Sequence, residues 1–507
     1  MGKRNETRRN SGGERASGAG RNFAVGKDAS AGRNFSAGKA SGVGRNSSAG
    51  RNFAIGKDSA TGKKSGTEGR VGREKKGAAD GRYMAERNTW EKKVPSERFK
   101  MERNNVAGRK ADKGINATRD RMVRGKGNGR CRAFGECGGC QMLHLPYDEQ
   151  LMIKEKETAK LLKPYVRLEG IIGMEQPEHY RNKVNAAFTH DRQGKPLSGV
   201  YKEGTHYIIP IEECVLENEK ADAIIGSIRS LLPSFKIKTF DEDTGYGLLR
   251  HVMVRVAHAT GQIMVVLVLG SPILPSKNNF VKALLKLHPD ITTIVINVNE
   301  KKTSMVLGDS GQVIYGKGYI EDVLCGIQFK ISPKSFYQIN TVQTEKLYQK
   351  AMEYAGLTGK ETVLDTYCGI GTIGLIAARK ARKVIGVEVN GDAVKDAISN
   401  ARRNKIKNVD FYQMDAGEFM VQMAEQGERV DTVFMDPPRT GSDEVFLDAL
   451  AKLAPDKVVY ISCNPETLAR DLEYMAKKGY RAVRGGCVDM FPFCRHVETI
   501  CCLSRME

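Results

Sequence analysis

The sequence contains no apolar run long enough to cross a membrane; the longest, around Ile263–Leu269, has the length of a strand. No signal-peptide pattern opens the chain. With eleven cysteines and no secretion signal, the protein is expected in a reducing compartment, the cytoplasm, where thiols act as ligands or nucleophiles. Acidic residues are in short supply in one place only. Residues 1–130 hold 33 Lys and Arg against 13 Asp and Glu, whereas the remaining 377 residues hold 48 against 47. The net charge of +21 therefore belongs to an N-terminal arm, and the rest of the chain is close to neutral.

The arm (1–125) also lacks apolar residues. Gly20, Gly32, Gly44 and Gly50 each begin a Gly-Arg-Asn unit, and three of these continue with Phe23, Phe35 and Phe53. A glycine- and serine-rich chain with dispersed arginine cannot offset the entropy of ordering, so disorder is expected. Arginine with interleaved phenylalanine suits RNA through charge and stacking; a solvated, solubilising tail is the plain alternative.

Directly after the arm, Cys131, Cys137 and Cys140 form a C-x5-C-Gly-Gly-C run, and Cys214 is the best candidate for a fourth ligand. Four thiolates complete a zinc or an iron–sulfur site. A second C-x2-C pair, usual in structural zinc, is missing, which favours iron–sulfur over zinc; chance clustering of free cysteines is the bland reading. From about 165 to 330 short apolar runs (186–189, 251–257, 262–269, 292–297) predict a mainly β region with helices near 221–232 and 280–287. Within it, Tyr180-Arg181-Asn182-Lys183 places cations beside an aromatic ring, suited either to phosphate and base contacts or to a solvated strand edge.

From residue 360 the pattern becomes regular. Strand-like runs at Thr362–Asp365, 384–388, 409–412, Thr432–Met435 and 457–461 alternate with helical stretches, which predicts a doubly wound α/β domain with a parallel sheet. Ligands in such folds bind beyond the C-terminal strand ends, and the motifs fall there. Gly369-x-Gly371-x-x-Gly374 matches a dinucleotide fingerprint, and Glu388 ends the next strand. In the methyl-donor version of the fold an acid precedes the glycines, as Asp365 does, and the second-strand acid Glu388 binds the ribose hydroxyls. Asp415 lies where an acid contacts adenine, and Asp436-Pro437-Pro438 lines the donor or the reacting base. A nicotinamide enzyme has no use for that stiffened acid, nor for Cys463 in Ser462-Cys-Asn-Pro465.

A thiolate next to a methyl-donor site implies covalent methylation of a pyrimidine. Carbon 5 of uracil is too weak a nucleophile until a thiolate adds at carbon 6, and a base must then remove the carbon 5 proton. Cys463 is the candidate nucleophile. Glu498 is the candidate base, on an expected strand 495–501 with His496 on the same face as a fallback. Cys368, Cys487, Cys494, Cys501 and Cys502 are read as core.

As a set, Cys131/Cys137/Cys140 with Cys214, Phe336-Tyr-Gln-Ile-Asn340, Asp365-Thr-Tyr-Cys-Gly-Ile-Gly371, Asp436-Pro-Pro-Arg439, Ser462-Cys-Asn-Pro465 and His496-Val-Glu498 resemble the bacterial RNA uracil-5-methyltransferase family, specifically its 23S ribosomal RNA branch, over residues 130–507. The resemblance implies S-adenosyl-L-methionine as donor, contacted by Gln338, Tyr367, Glu388 and Asp436, with Gly369 and Gly371 in the donor loop. It implies a 4Fe–4S cluster on the four cysteines, Cys463 as nucleophile and Glu498 as base, acting as a monomer on 23S ribosomal RNA or a ribosomal precursor, without DNA. The expected organisation is thus an arm (1–125), an iron–sulfur and β-rich RNA-binding part (126–330) and a methyltransferase domain (331–507). Two departures stand out. The small β-barrel that usually precedes the first cysteine is replaced by the arm, which is then expected to dock RNA, and Thr372 replaces an amide residue. A transfer-RNA uracil-5-methyltransferase, an RNA cytosine-5 methyltransferase and a non-catalytic RNA-binding protein are the competing readings.

Overall fold

The structure, a computed structural model, describes residues 129–506 apart from 203 and 302–304. The arm, its repeats and the docking role expected of it lie outside the described residues. Among the described residues no helix is long and apolar enough to cross a membrane.

Among the described residues two large sheets organise the chain, beside a two-stranded pair of Ile320–Leu324 and Ile327–Ile331. The larger has eight strands, in the order Leu168–Ile172, Tyr480–Val488, Glu498–Arg505, Lys457–Ser462, Thr432–Met435, Thr362–Asp365, Lys383–Glu388 and Val409–Gln413. Its central strands are short apolar runs buried on both faces, as parallel sheets covered by helices require. Along Lys457–Ser462, Val459 and Ile461 face one core together with Phe434 and Ile500. Val458 and Tyr460 face the other, with Leu364 and Leu447. That alternation is the period of two that a pleated strand imposes.

The expected parallel sheet is present with one exception that matters for the site. Glu498–Arg505 runs antiparallel to both of its neighbours, inserted between Lys457–Ser462 and Tyr480–Val488. Because it runs backwards, it begins where the others end, and Ser462 pairs with Thr499 while Val488 pairs with Glu498. The strand expected at 495–501 in fact begins at Glu498, because residues 489–497 form the loop that reverses the chain. A boundary at residue 330 also leaves out one strand of this sheet: Leu168–Ile172, preceded by helix Tyr147–Leu162, pairs in parallel with Tyr480–Val488.

The second sheet has seven strands, from Ile208–Pro210 at one edge to Ser310–Tyr315 at the other. All neighbours are antiparallel except Ile263–Leu269 with Ile291–Val298, which are joined through helix Lys277–Leu287. That helix and Glu219–Leu231 pack on it over a core that includes Val254, Val265, Ile224 and Phe280. The β-rich character and the two helices follow the sequence expectation.

Candidate active site

Cys463 follows directly after the strand Lys457–Ser462. Ser462 Oγ donates to Asn464 O at 3.0 Å, and Asn464 N donates back to Ser462 Oγ at 3.2 Å, so the thiol is held on a closed turn. Asn464 then caps helix Pro465–Lys477 by accepting from Glu466 N, with Pro465 pre-set for the first helical position. Asn464 Nδ2 and Thr467 Oγ1 both donate to Arg439 O, at 3.2 and 3.3 Å, which ties the Asp436-Pro-Pro-Arg439 loop to the thiol's turn.

The strand reversal brings Glu498 to this point. Its carboxyl is 2% exposed, and Oε2 has no hydrogen-bond partner. Burial, then the charge of Asp436, drives it well above the ordinary carboxylate range, with Arg439 opposing. Burial also lifts Asp436 to about 7. Asp365 is lifted to about 7 as well, by burial and by the neighbouring Asp436 and Glu388, although Gly374 N donates to its Oδ2 at 2.8 Å. Burial, then Glu498 and Asp436, raises the Cys463 thiol to about 11, against the pull of Arg439. The site therefore gathers three strained acids and a thiol, with a single guanidinium among the groups acting on Cys463 and Glu498.

The glycine loop is built as expected. Gly369 and Gly371 have φ of +54° and +85°, a region costly for other residues. A Cβ on Gly369 would enter open space, whereas one on Gly371 would press on Phe411 at 3.1 Å and Ala397 at 3.3 Å. Glu388 Oε2 accepts from Gly369 N at 3.1 Å, joining the second-strand acid to the loop. Tyr367 stacks on Phe446 with centroids 5.3 Å apart, and the two line a cavity of about 480 Å³ with Asp415, Ser442 and Arg470. Asp415 Oδ1 caps helix Ala416–Glu425 through Gly417 N and Glu418 N. Gln338 is half-buried on a different loop, its carbonyl fixed by Asn182 Nδ2 at 2.9 Å.

A second cavity, about 270 Å³, opens beside Cys463 and is walled by Arg439, Arg495, His496 and helix Tyr147–Leu162. His496 lies exposed in the loop before the strand, so it does not share a strand face with Glu498. Tyr180 and Asn182 are buried rather than presented to solvent. Tyr180 OH donates to Pro492 O at 3.3 Å, and burial followed by Arg255 and Arg181 lowers Lys183 to about 8. The segment read as either a phosphate contact or a solvated strand edge thus has Tyr180 and Asn182 packed inside and its two cations half-buried.

The four cysteines Cys131, Cys137, Cys140 and Cys214 line one cavity of about 250 Å³, with Arg181 in its wall. The Nε of Arg181 is buried without a hydrogen-bond partner. Burial raises Cys214 to about 12, and Cys140 is raised by burial and then by the surrounding thiols Cys494, Cys214, Cys137 and Cys131. Among the described residues no three His, Cys, Asp or Glu side chains converge closely enough to hold a single metal ion.

Sequence reasoning missed the residues that join this cavity to the loop 489–497. Gln141 N and Met142 N both donate to Phe493 O, at 3.1 and 2.9 Å. Cys494, buried as its core reading required, donates from Sγ to Gly139 O at 2.9 Å. Lys154 Nζ meets Asp489 Oδ1 at 2.6 Å with both side chains 1% exposed or less. Losing either partner strands a buried charge, at ~3–5 kcal/mol. Phe493 has φ +65°, a left-handed conformation costing a non-glycine residue about 1–2 kcal/mol.

Comparisons with known proteins identify the family. The family model described as tRNA (Uracil-5-)-methyltransferase matches residues 146–506. An RNA methyltransferase of Halalkalibacterium halodurans is 42% identical over 379 residues, covering 74% of this chain and 82% of its own length. Another, from Caldanaerobacter subterraneus, is 40% identical over 383 residues, covering 75% and 84%. Among solved structures, the Pyrococcus abyssi tRNA (uracil-54, C5)-methyltransferase in complex with S-adenosyl-L-homocysteine is 29% identical with a TM-score of 0.62, covering 72% of this chain and 85% of that one. The chain therefore belongs to the S-adenosylmethionine-dependent RNA uracil-5-methyltransferase family.

Proposed function

We propose that this enzyme methylates carbon 5 of a uridine in 23S ribosomal RNA, with Cys463 as the covalent nucleophile and Glu498 as the base. The observation that carries the reading is the pairing of Ser462 with Thr499, which leaves Cys463 and Glu498 next to each other at the sheet's end with one Glu498 oxygen unpartnered. The Cys463 thiolate adds to carbon 6, and the electron pair displaced from the carbon 5–carbon 6 double bond, held as an enolate, attacks the sulfonium methyl group. S-adenosylhomocysteine departs. Glu498 takes the carbon 5 proton, the electrons of that bond restore the double bond, and the carbon 6–sulfur bond breaks to return the thiolate. A site holding Asp365, Asp436 and Glu498 has an excess of acid, and the cationic sulfonium supplies charge that favours their ionised forms and that of Cys463. Gln338, Tyr367, Gly369, Gly371, Glu388, Asp415 and Asp436 are the donor contacts in this reading. The target base has to leave its stack to reach the thiol, so a loop or single-stranded uridine is the suitable substrate.

The four-cysteine cavity suits a 4Fe–4S cluster. A single ion needs all its ligand atoms within about 2.3 Å, which thiols spread around a cavity do not meet, whereas a cluster takes one thiolate at each of four separate irons. The orphaned Arg181 Nε in the wall is a donor suited to cluster sulfide. The cluster, when bound, holds the four thiolates together; no chemical step is assigned to it.

A second reading, a transfer-RNA substrate, is favoured by the likeness to the P. abyssi enzyme named for uracil-54 of tRNA. The test is labelled S-adenosylmethionine with ribosomal and transfer RNA from cells lacking the protein, followed by nucleoside mass analysis, with Cys463→Ala in parallel. Labelled 5-methyluridine in ribosomal RNA, absent from the variant, is the expected result. Label in transfer RNA alone would transfer the chemistry to that substrate, and labelled cytidine would overturn the uridine assignment.

A further inference from the structure

We propose that the cysteine loop 138–142 and helix Tyr147–Leu162 together set the position of the catalytic base, so that they govern release of the methylated base from Cys463 rather than its capture. The inference rests on the covalent reading above and deepens it by naming positioning residues, Gln141 and Gln150.

The argument starts from the register. Glu498 is the first residue of its strand and pairs with Val488, the last of the preceding one. Nothing but the loop 489–497 lies between them, so whatever fixes that loop fixes the entry of Glu498 into the site. The loop is gripped from two directions. From the cysteine side, Gln141 N and Met142 N donate to Phe493 O, Gln141 Oε1 accepts from Arg495 N at 3.2 Å, and Gln141 Nε2 closes on Gly138 O at 2.6 Å. From the helix side, Gln150, fully buried, accepts from Phe493 N at 3.0 Å and donates to Leu145 O at 2.9 Å. Lys154 adds bonds to Asp489 and to Phe491 O, at 2.6 and 3.0 Å.

Both backbone polar groups of Phe493 are therefore occupied by these two elements, and this is the residue held in a left-handed conformation. Strained backbone persists only where its surroundings over-determine it. Relaxation of Phe493 would move the chain five residues before Glu498. Cys463 shares a cavity wall with this loop and helix, but the hydrogen bonds that hold its turn come from Ser462, Asn464 and the Arg439 loop and none involves residues 138–150. A loosened loop thus displaces the base while leaving the nucleophile in place.

In chemical terms, capture needs only the thiolate, the RNA and the sulfonium. Release needs the Glu498 carboxylate within reach of the carbon 5 proton: the proton goes to Glu498, the bond's electrons form the carbon 5–carbon 6 double bond, and the thiolate leaves.

The experiment uses the full chain at equal iron content, the RNA that the wild-type protein methylates, and the same RNA transcribed with deuterium at uracil carbon 5. Gln141→Ala and Gln150→Met attack the loop from opposite sides. Each should form the denaturation-stable protein–RNA adduct at the wild-type rate in its first turnover. Each should then lose roughly ten- to a hundredfold in turnover, as misplacing a reacting group by about an ångström does, accumulate adduct, and show a larger deuterium effect than wild type. S-adenosylhomocysteine binding by calorimetry reports that a variant is folded; because Gln141 is exposed, its replacement leaves no buried hole. Folded variants in which capture and release slow together without adduct build-up, or in which neither changes, overturn the proposal. A wild-type protein that gives no adduct with ribosomal or transfer RNA overturns the covalent reading itself, a distinct result.

Discussion

The chain holds thiols in two unlike settings. In the cysteine cavity, burial and then neighbouring thiols push Cys140 upward, and the wall contributes one buried guanidinium, Arg181. At the sheet's end, burial raises Cys463 too, but carboxyls come next: Glu498 and Asp436. A thiol crowded by thiols is relieved by a metal centre that takes all of them as thiolates. A thiol crowded by acids is relieved by a cation that comes and goes, such as a sulfonium. The proposed roles, ligand in one place and nucleophile in the other, thus follow from what surrounds each thiol.

Three experiments press on that contrast. Glu498→Gln carries the largest expected effect: turnover falls by about 10²–10⁴-fold, the adduct on Cys463 accumulates, and gel analysis of the denatured complex measures it. Turnover close to wild type would remove the acid from the chemistry and with it the catalytic half of the contrast. Cys140→Ser and Cys214→Ser come second. Each should lose bound iron and lower the unfolding midpoint by several degrees, roughly 2–4 °C per kcal/mol in domains of 150–250 residues. Unchanged iron content and midpoint would make the two settings alike.

The smallest effect is pH-dependent. Asp365 and Asp436 are held up at about 7, against an ordinary 3.8. A carboxyl raised by folding keeps its proton in the native state after the unfolded chain has lost it. Its stabilising contribution is full below the unfolded value and is lost as pH climbs through about 7. The ligand-free midpoint should decline between about pH 5 and pH 8. S-adenosylmethionine, a cation, should then raise the midpoint more at about pH 8 than at about pH 6, and neutral S-adenosylhomocysteine should not show this difference. Equal increments for both ligands would mean that the acids do not sense the sulfonium.

Much of the catalytic region was legible because its parts are contiguous. Asp365 through Gly371, Asp436 through Arg439 and Ser462 through Pro465 each sit at a strand end, and strand ends can be read from apolar runs. Gln338 came only from resemblance, since nothing in the local sequence marks a glutamine as a donor contact. The reversed strand was not legible: strand–helix alternation stops after Pro465–Lys477, and direction is a property of pairing, not of composition. In Tyr180 to Lys183 the sequence left a phosphate contact and a solvated strand edge open, and it did not show that Tyr180 and Asn182 are buried while Arg181 and Lys183 are half-buried. The grip on Phe493 spans 343 to 354 residues of sequence through Gln150 and the Gln141–Arg495 contact, and no glycine or asparagine marks the left-handed position.

The order of the large sheet has one further consequence, for synthesis. Glu498–Arg505, the last strand among the described residues, is a middle strand in space, and it alone connects Tyr480–Val488 and Leu168–Ile172 to the rest of the sheet. A chain emerging N-terminus first presents Cys463 before Glu498. Until residue 498 is free to insert, the sheet remains open along the very edge where Cys463 would act. In the proposed mechanism Cys463 gains its base only once the sheet has closed around Glu498–Arg505.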